Sequence, residues 1–178
     1  MTLNALFDKY GTDKGASLHD LGDIYEPYFQ SIKGRGVIEI GVLEGASLNA
    51  LSEFFGQRSK IVGIDCNDKS QLQLRNNITI EKGAQADELF LESCVARHFN
   101  GNLDLVLDDA SHLIDDQMAS ISVLHHYLSE GGLYIIEDVH VNNIGTALHN
   151  RPQKLSIETV YRYKSMKDWF TCIFRKQA

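Results

Sequence analysis

The sequence predicts an α/β fold in which a mostly parallel sheet carries helices on both faces. Short runs rich in Val, Ile and Leu alternate with stretches whose apolar residues recur at spacings of three and four. Most of these runs hold consecutive aliphatic residues, which is typical of strands buried on both faces. Repeated strand-helix alternation at this spacing implies right-handed crossovers between parallel strands.

The strand candidates of the parallel part are short and strongly apolar. Taken in order along the chain, they are GVIEIGV (36–42), KIVGIDC (60–66), NITIEKG (77–83), LDLVLDD (103–109) and LYIIEDV (133–139).

Amphipathic stretches between these strands predict the crossover helices. They are ASLNALSEFFG (46–56), ADELFLESCVARHF (86–99) and IDDQMASISVLHHYLSEGG (114–132). We expect the last helix to end at Gly131 and Gly132, because glycine readily adopts the left-handed C-cap conformation. Beyond residue 139 the sequence predicts a polar loop and then two β-rich runs, 155–163 and 169–176, that form an antiparallel hairpin.

The length and charge of the chain limit the kinds of partner that it can have. Its 178 residues predict a single domain, and they contain no internal repeat or low-complexity linker. Twenty-four acidic against seventeen basic residues give a formal net charge of -7. Such a charge argues against nucleic acid or an anionic membrane as the main partner, because both are negative themselves. The composition favours a small molecule.

The three cysteines and the N-terminal residues indicate the cellular compartment of the protein. Cys66, Cys94 and Cys172 are odd in number, widely spaced and set among apolar neighbours, so we expect unpaired core thiols in a reducing compartment. The N-terminal residues lack the apolar region of a signal peptide, and no segment reaches the ~20 apolar residues of a membrane span. The sequence therefore predicts a cytoplasmic protein.

Acidic and small residues stand at nearly every predicted strand end. Ligands of an open parallel sheet bind beyond the carboxyl ends of its strands, so these positions are the candidates for chemistry. In chain order they are Glu39, Gly41, Asp65, Gly83, Gln85, Asp108, Asp109, Glu137 and Asp138.

The first crossover, VIEIGVLEGAS (37–47), indicates a cofactor that carries an ammonium group. Gly41 and Gly45 allow a tight turn close to a ligand, and Ser47 or a helix amide can donate to a carboxylate. Glu39 would repel a pyrophosphate and attract an ammonium group. Asp65 ends the next strand, where an acid can bind both ribose hydroxyls. Each feature alone is equally explained by turn formation or strand-end capping, and together they favour S-adenosylmethionine.

The stretch LVLDDASH (105–112) ends a buried strand with two adjacent carboxylates. Asp and Ser start turns and cap helices, and paired carboxylates also bind divalent cations. Asp108 points to the face opposite Asp109, so it either starts a turn or faces the cofactor. Gln85 and Asp87, which follow the third strand, are placed to meet the adenine.

Six segments together resemble a known family. They are YGTDKGASLHDLGDIYEPYF, VIEIGVLEGAS, IVGIDC, EKGAQAD, LVLDDASH and GGLYIIEDV. In this order they are similar to the S-adenosylmethionine-dependent sugar O-methyltransferases typified by the mycinamicin and macrocin methyltransferases. The resemblance covers roughly residues 10–139 and implies methyl transfer to a hydroxyl of a sugar or glycosylated metabolite.

The resemblance also implies a Rossmann-like class I methyltransferase fold with strand order 3-2-1-4-5-7-6 and a bound Mg²⁺ or Mn²⁺. Carried onto this chain, the metal ligands fall on Asp109, Glu137 and Asp138, and the catalytic base on His112. Residues 1–33 correspond to a helical segment that covers the cofactor, and residues 34–178 to the core. In the covering segment the candidates for cofactor contact are Tyr10, Thr12, Lys14 and His19.

Elementary electrostatics supports the carboxylate site independently. Asp109 ends the fourth strand and Glu137 with Asp138 ends the fifth, so three carboxylates can converge. They would repel one another until one took up a proton or a dication neutralised them. Oxygen ligands suit Mg²⁺ or Mn²⁺. A cation held there could chelate two vicinal hydroxyls of an acceptor while His112 accepts a proton.

Three alternatives stay open at this point. Methylation of a catechol-like diol would use the same chelate. A nicotinamide-dependent (NAD or NADP) oxidoreductase has a related sheet, but Glu39 and the missing third glycine disfavour it. A cofactor-binding homologue without activity is the third, because residues 140–154 are few where relatives carry acceptor-binding insertions. This short segment also leads us to expect a homo-oligomer, unless the N-terminal segment completes the acceptor cleft.

Overall fold

Within residues 1–100 and 103–178, which the computed structural model describes, seven strands form one sheet. They are β1 (Gly36–Ile40), β2 (Lys60–Asp65), β3 (Ile78–Lys82), β4 (Leu103–Asp108), β5 (Leu128–His140), β6 (Leu155–Arg162) and β7 (Trp169–Lys176). Their order across the sheet is β3-β2-β1-β4-β5-β7-β6. The first five strands run parallel, and β7 lies antiparallel between β5 and β6. The predicted fold class, strand order and C-terminal hairpin are confirmed.

Helices connect the parallel strands and cover the sheet. They are α1 (Leu3–Tyr10), α2 (Gly22–Gln30), α3 (Ala46–Phe55), α4 (Glu88–His98), α5 (Ile114–Leu124) and α6 (Ile144–His149), and a 3-10 turn spans Val141–Asn143. Asp115 and Asp116 occupy the first turn of α5, where negative charge is favourable beside the positive end of the helix dipole.

Alternate residues of the central strands pack into two separate cores. Ile38 and Ile40 of β1 belong to the core that includes α4 and α5. Val37 belongs to the core formed with α1, α2 and α3 on the other face. Burial on both faces accounts for the consecutive aliphatic residues of these strands. Polar chemistry is therefore confined to the strand ends.

The prediction that the helix before β5 ends at two glycines is wrong. α5 ends at Leu124, and β5 already begins at Leu128. The β4–β5 pairing shifts register between Leu128 and Leu133, so the two glycines lie in an irregular part of β5. Gly131 has a φ of 78°. A Cβ on Gly132 would lie 2.9 Å from the carbonyl oxygen of Ser129, so the close approach of the backbone explains that glycine.

The segment between β5 and β6 is also more ordered than the predicted polar loop. The 3-10 turn and α6 occupy it. Ala147 is completely buried, and Ile144 and Leu148 pack against the core on the α5 side of the sheet. Three apolar residues in a short polar stretch are enough to fix one helical turn by packing.

The thiols and the membrane prediction can be compared with the structure. Cys94 and Cys172 are buried and Cys66 is exposed, so the prediction of three core thiols is wrong for Cys66, which lies just beyond the end of β2. All three thiols are unpaired. Across the two described ranges, no helix has the length and apolar character required to cross a bilayer.

Candidate active site

The carboxyl ends of the central strands bring four charged side chains together. Glu39 lies on β1, Asp109 directly follows β4, and Glu137 lies near the end of β5. The amine of Lys14, in the segment between α1 and α2, donates to Oδ2 of Asp109 and, at 2.8 Å, to Oε2 of Glu137. Lys14, Glu39 and Glu137 are almost completely buried. The strand ends singled out in the sequence therefore do form a charged site.

Asp109 also belongs to a second group at this edge of the sheet. One ring nitrogen of His112 and one carboxylate oxygen from each of Asp109 and Asp138 lie within 4.8 Å of one another, and all three residues are half-buried. Nδ1 of His112 lies 3.3 Å from Oδ2 of Asp138. Two of the three predicted metal ligands thus share a group, and Glu137 is joined to Asp109 through Lys14.

Burial and mutual charge set the ionisation of these groups. Burial disfavours the ammonium of Lys14, but the carboxylates of Asp109 and Glu137 outweigh it and hold its pKa well above the usual value. Burial, followed by repulsion from Asp109, raises the pKa of Asp138. Burial raises the pKa of Glu39 to about 7, against the lowering effect of the Lys14 charge. The site therefore holds one fixed positive charge and more carboxylates than that charge can neutralise.

The glycine turn after β1 is shaped by close approach to β4. Gly41 has a φ of 94°, and a Cβ there would lie 2.0 Å from the carbonyl oxygen of Asp109. Gly45, at a φ of 75°, precedes the first turn of α3, and no side chain caps that end of the helix. The amides at the start of α3 are consequently available to an acceptor group.

Two buried polar atoms beside this turn have no hydrogen-bond partner within residues 1–100 and 103–178. They are Oε2 of Glu39 and Oγ of Ser47. Unpartnered buried polar atoms are uncommon in folded proteins, and a ligand that supplies the missing donor is one explanation. Cofactor contact by Glu39, Gly41 and Ser47 stays a prediction.

Asp65 closes the other side of the glycine turn. Its Oδ2 accepts from the N–H of Val42 at 3.1 Å, and its Oδ1 accepts from the N–H of Asn67 at 2.8 Å. Burial disfavours the ionised carboxyl, but these backbone donors outweigh it and lower the pKa of Asp65. A charged acid is therefore fixed at the end of β2, where the sequence places the ribose.

Asp108 and its neighbours form a buried network rather than an open surface. Asp108 accepts from Nε2 of Gln85 at 2.6 Å, from the hydroxyl of Tyr134 at 3.2 Å and from Oγ of Ser120. Burial raises the pKa of Asp108 to about 7. Asp87 caps α4 by accepting from the N–H of Phe90. Cofactor contact by Gln85, Asp87 and Asp108 stays a prediction.

The N-terminal candidates other than Lys14 lie outside the charged site. The hydroxyl of Tyr10 donates to Glu53 of α3 at 2.6 Å, and the hydroxyl of Thr12 donates to Asp13 at 3.3 Å. The ring of His19 stacks on Tyr163 with centroids 5.2 Å apart.

Sequence reasoning overlooked two side chains beside the site, His140 and Trp169. The ring of Trp169 lies with its centroid 5.1 Å from that of His140 and 6.2 Å from that of His112. His140 follows Asp138 by two residues, so its place in the motif EDVH could have predicted that it lies near the site. Trp169 is placed opposite His140 by the antiparallel register of β5 and β7, and no local pattern could have shown this.

Comparisons with known proteins match most of the chain to methyltransferases. Residues 38–139 match a family described as Methyltransferase domain. Demethylmacrocin O-methyltransferase of Streptomyces fradiae is 35% identical over 146 residues, which are 77% of this chain and 36% of that protein. Mycinamicin VI 2''-O-methyltransferase of Micromonospora griseorubida is 34% identical with the same coverage.

A solved structure extends the similarity to almost the whole chain. It is the MycE methyltransferase from the mycinamycin biosynthetic pathway in complex with Mg, SAH and mycinamycin VI. It is 25% identical with a TM-score of 0.80, and the match covers 99% of this chain and 54% of that one. The chain therefore spans about a third of the length of the curated relatives, 36%, and about half of this structure.

Proposed function

Because this chain belongs to the methyltransferase-domain family, we propose that it transfers a methyl group from S-adenosylmethionine to a hydroxyl of a sugar or glycosylated metabolite. One observation carries the proposal. In the described part of the chain, Oε2 of the buried Glu39 beside the glycine turn has no hydrogen-bond partner, and the cluster of Asp109, His112 and Asp138 lies at neighbouring strand ends. A site for a cationic cofactor next to a site for a cation is what metal-assisted methyl transfer requires.

Residues around the glycine turn fit S-adenosylmethionine. Oε2 of Glu39 lacks a donor within the two described ranges, and the ammonium group of the cofactor would supply one. The uncapped amides at the start of α3, with Ser47, would receive the cofactor carboxylate. Asp65 would bind the ribose hydroxyls. We assign adenine contacts to Gln85, Asp87 and Asp108, and cover by Tyr10, Thr12, Lys14 and His19, on family resemblance alone.

The acidic cluster fits a hard divalent cation. Carboxylates of Asp109 and Asp138 would hold Mg²⁺ or Mn²⁺, and Glu137 completes the ligand set that the resemblance implies. Bound metal would act as a Lewis acid that lowers the pKa of an acceptor hydroxyl.

His112 would accept the proton of the reacting hydroxyl. Its Nδ1 lies 3.3 Å from Oδ2 of Asp138, beside the proposed metal ligands, and a neutral imidazole nitrogen is a proton acceptor. The hydroxyl oxygen forms the new bond to the methyl carbon while the carbon–sulfur bond breaks, and S-adenosylhomocysteine leaves. Residues that hold both reactants in line contribute mainly by proximity and orientation.

The acceptor class rests on the relatives. The two curated relatives are named as O-methyltransferases of demethylmacrocin and of mycinamicin VI, and the related solved structure contains mycinamycin VI. We therefore propose a glycosylated small molecule as the acceptor. A formal charge of -7 supports neither nucleic acid nor an anionic membrane as a partner. The unpaired thiols suit a reducing, cytoplasmic location.

We propose that residues 1–178 form one methyltransferase domain, with residues 1–33 as its cover, and that it assembles as a homo-oligomer. Only residues 141–154 separate β5 from β6, which is little chain for an acceptor cleft. Edge strand β6 also exposes Ile157 and Val160. Light scattering at micromolar concentration checks the assembly, and a fully active monomer would rule out a contribution from a second subunit.

Calorimetry and a turnover assay together test the function. Titration with S-adenosylhomocysteine should show binding, and titration with NAD should show none. Incubation with S-adenosylmethionine and a panel of macrolide glycosides and catechols should give a methylated glycoside. Tight NAD binding without S-adenosylhomocysteine binding would overturn the assignment. Cofactor binding without turnover on any acceptor would identify an inactive homologue.

A further inference from the structure

The segment between α1 and α2 crosses the charged end of the sheet, and we call residues 11–21 the strap. One end is anchored on the C-terminal hairpin, where Nδ1 of His19 lies 2.8 Å from Oγ of Ser165 and Asp20 pairs with Lys164. From this anchor the strap reaches the carboxyl ends of β4 and β5 through Lys14. Lys14 is therefore the link between the strap and the carboxylate site.

The ammonium group of Lys14 acts as an internal counter-ion for the buried carboxylates. Its side chain is 3% exposed, and its amine contacts one carboxylate from each of two neighbouring strands. Long charged side chains are rarely buried unless they are paired, because removing an ammonium from water is costly. Asp109 and Glu137 supply that pairing, and Oε1 of Glu137 has no partner of its own among the described residues.

Asp109 is shared between two cationic positions. Its Oδ2 accepts from Lys14, and a carboxylate oxygen of Asp109 also belongs to the group with His112 and Asp138. Two cations on one carboxylate repel each other, and each weakens the binding of the other.

We propose that Lys14 is an internal competitor of the divalent cation, so that metal binding and closure of the strap oppose each other at Asp109. The inference rests on the proposed metal site and adds its regulation. With the ammonium in place, the carboxylates are neutralised in part and the strap is closed. A dication that draws Asp109 towards His112 and Asp138 weakens the Lys14 contact and releases the strap.

Calorimetric titration of Mg²⁺ into the full chain with bound S-adenosylhomocysteine tests the competition. Lys14→Met removes the charge, and Lys14→Gln removes it but keeps a hydrogen-bond donor. Both should bind Mg²⁺ at least about tenfold more tightly than the parent. Without metal their Tm should fall by roughly 5 to 15 °C, because buried carboxylates lose their counter-ion. Saturating Mg²⁺ should restore more of the Tm in the variants than in the parent.

Two matched controls separate charge from general disturbance. Lys14→Arg keeps the positive charge and should keep the weaker Mg²⁺ affinity of the parent. Lys9→Met removes an exposed lysine of α1 that pairs with Glu53, away from the site, and should leave Mg²⁺ affinity unchanged. The neutral Lys14 variants could fold only when Mg²⁺ is present. In that case chelation should unfold the variants and leave the parent folded, and this result also supports the proposal.

Equal or weaker Mg²⁺ binding by Lys14→Gln and Lys14→Met would overturn the competition and leave the proposed function standing. A loss of Tm that Mg²⁺ does not reduce would also overturn it, since Lys14 would then be a packing residue. Absence of Mg²⁺ binding in every protein, with S-adenosylhomocysteine still bound, would remove the metal-assisted function together with the inference.

Discussion

Nδ1 of His112 lies 3.3 Å from Oδ2 of Asp138, and both residues have left-handed backbone, with φ of 59° and 51°. Non-glycine residues seldom adopt this conformation, and such strain persists where surrounding structure enforces it, often at functional sites. The two side chains meet because the turn after β4 and the end of β5 are both held in an unfavourable shape. The pairing is therefore built into the backbone.

The strain at His112 predicts a difference between two substitutions that both remove the imidazole. His112→Gly should be more stable than His112→Ala by about 1 to 2 kcal/mol, because glycine adopts positive φ without the steric cost that alanine retains. Urea denaturation of the two variants measures this difference. A more stable alanine variant would show that residue 112 is not held at positive φ in solution.

Loss of the base should slow turnover without loss of binding. His112→Ala should reduce kcat by about 10²- to 10⁴-fold, the usual contribution of a positioned base, while S-adenosylhomocysteine affinity stays close to that of the parent. His140→Ala is the matched comparison, since His140 also packs against Trp169. Steady-state kinetics of both variants shows which of the two histidines is the base. If only His140→Ala is slow, the base is His140.

Asp65 should matter for the cofactor and not for the metal. Asp65→Ala should weaken S-adenosylhomocysteine binding by about 1.5 to 3 kcal/mol, the value of charge-assisted hydrogen bonds. Asp68→Ala provides the control, because Asp68 is an exposed neighbour whose carboxylate accepts from Ser70. Calorimetry reports both affinities. Equal affinities of the two variants would place the ribose elsewhere.

Asp108 should make stability depend on pH. Its folded pKa is about 7, above an unfolded value of about 3.9, so the folded state holds the proton more tightly. Its contribution is fully present below about pH 4 and is lost as the pH rises through about 7. Asp108→Asn removes this titration, and the hydroxyls of Ser120 and Tyr134 can still bond the amide. Glu39, whose pKa is also raised to about 7, titrates in both proteins. The difference in unfolding free energy between the parent and Asp108→Asn therefore reports the titration of Asp108 alone.

Denaturation of the parent and Asp108→Asn at several pH values between 4 and 8 measures that difference. Relative to the variant, the parent should lose on the order of a few kcal/mol across this range. A difference that stays constant with pH would mean that Asp108 has the same proton affinity in the folded and unfolded states.

Local patterns were sufficient to predict the framework of the site. Consecutive aliphatic residues identified the central buried strands, and acids at the ends of three of them, Glu39, Asp65 and Asp109, indicated the edge where the charged side chains meet. The order of strands across the sheet came from family resemblance, because alternation alone does not determine which strands are neighbours.

Contacts between residues far apart in the chain could not be predicted from local sequence patterns. Lys14 and Asp109 are 95 residues apart, and nothing local indicates that this lysine, rather than Lys9, reaches the carboxylates. The end of α5 at Leu124 and the register shift between β4 and β5 that follows it are not encoded in the periodicity of the apolar residues. Trp169 reaches the site only through the pairing of β5 with β7.

Methyl transfer to a glycosylated acceptor, followed by mass spectrometry before chelation, after chelation and after return of Mg²⁺, tests the central claim most directly. The three acidic residues Asp109, Glu137 and Asp138 are proposed to act through a divalent cation. The product with one added methyl group should therefore disappear on thorough chelation and return with Mg²⁺. Product formation that thorough chelation leaves undiminished would contradict metal assistance and return these carboxylates to a structural role.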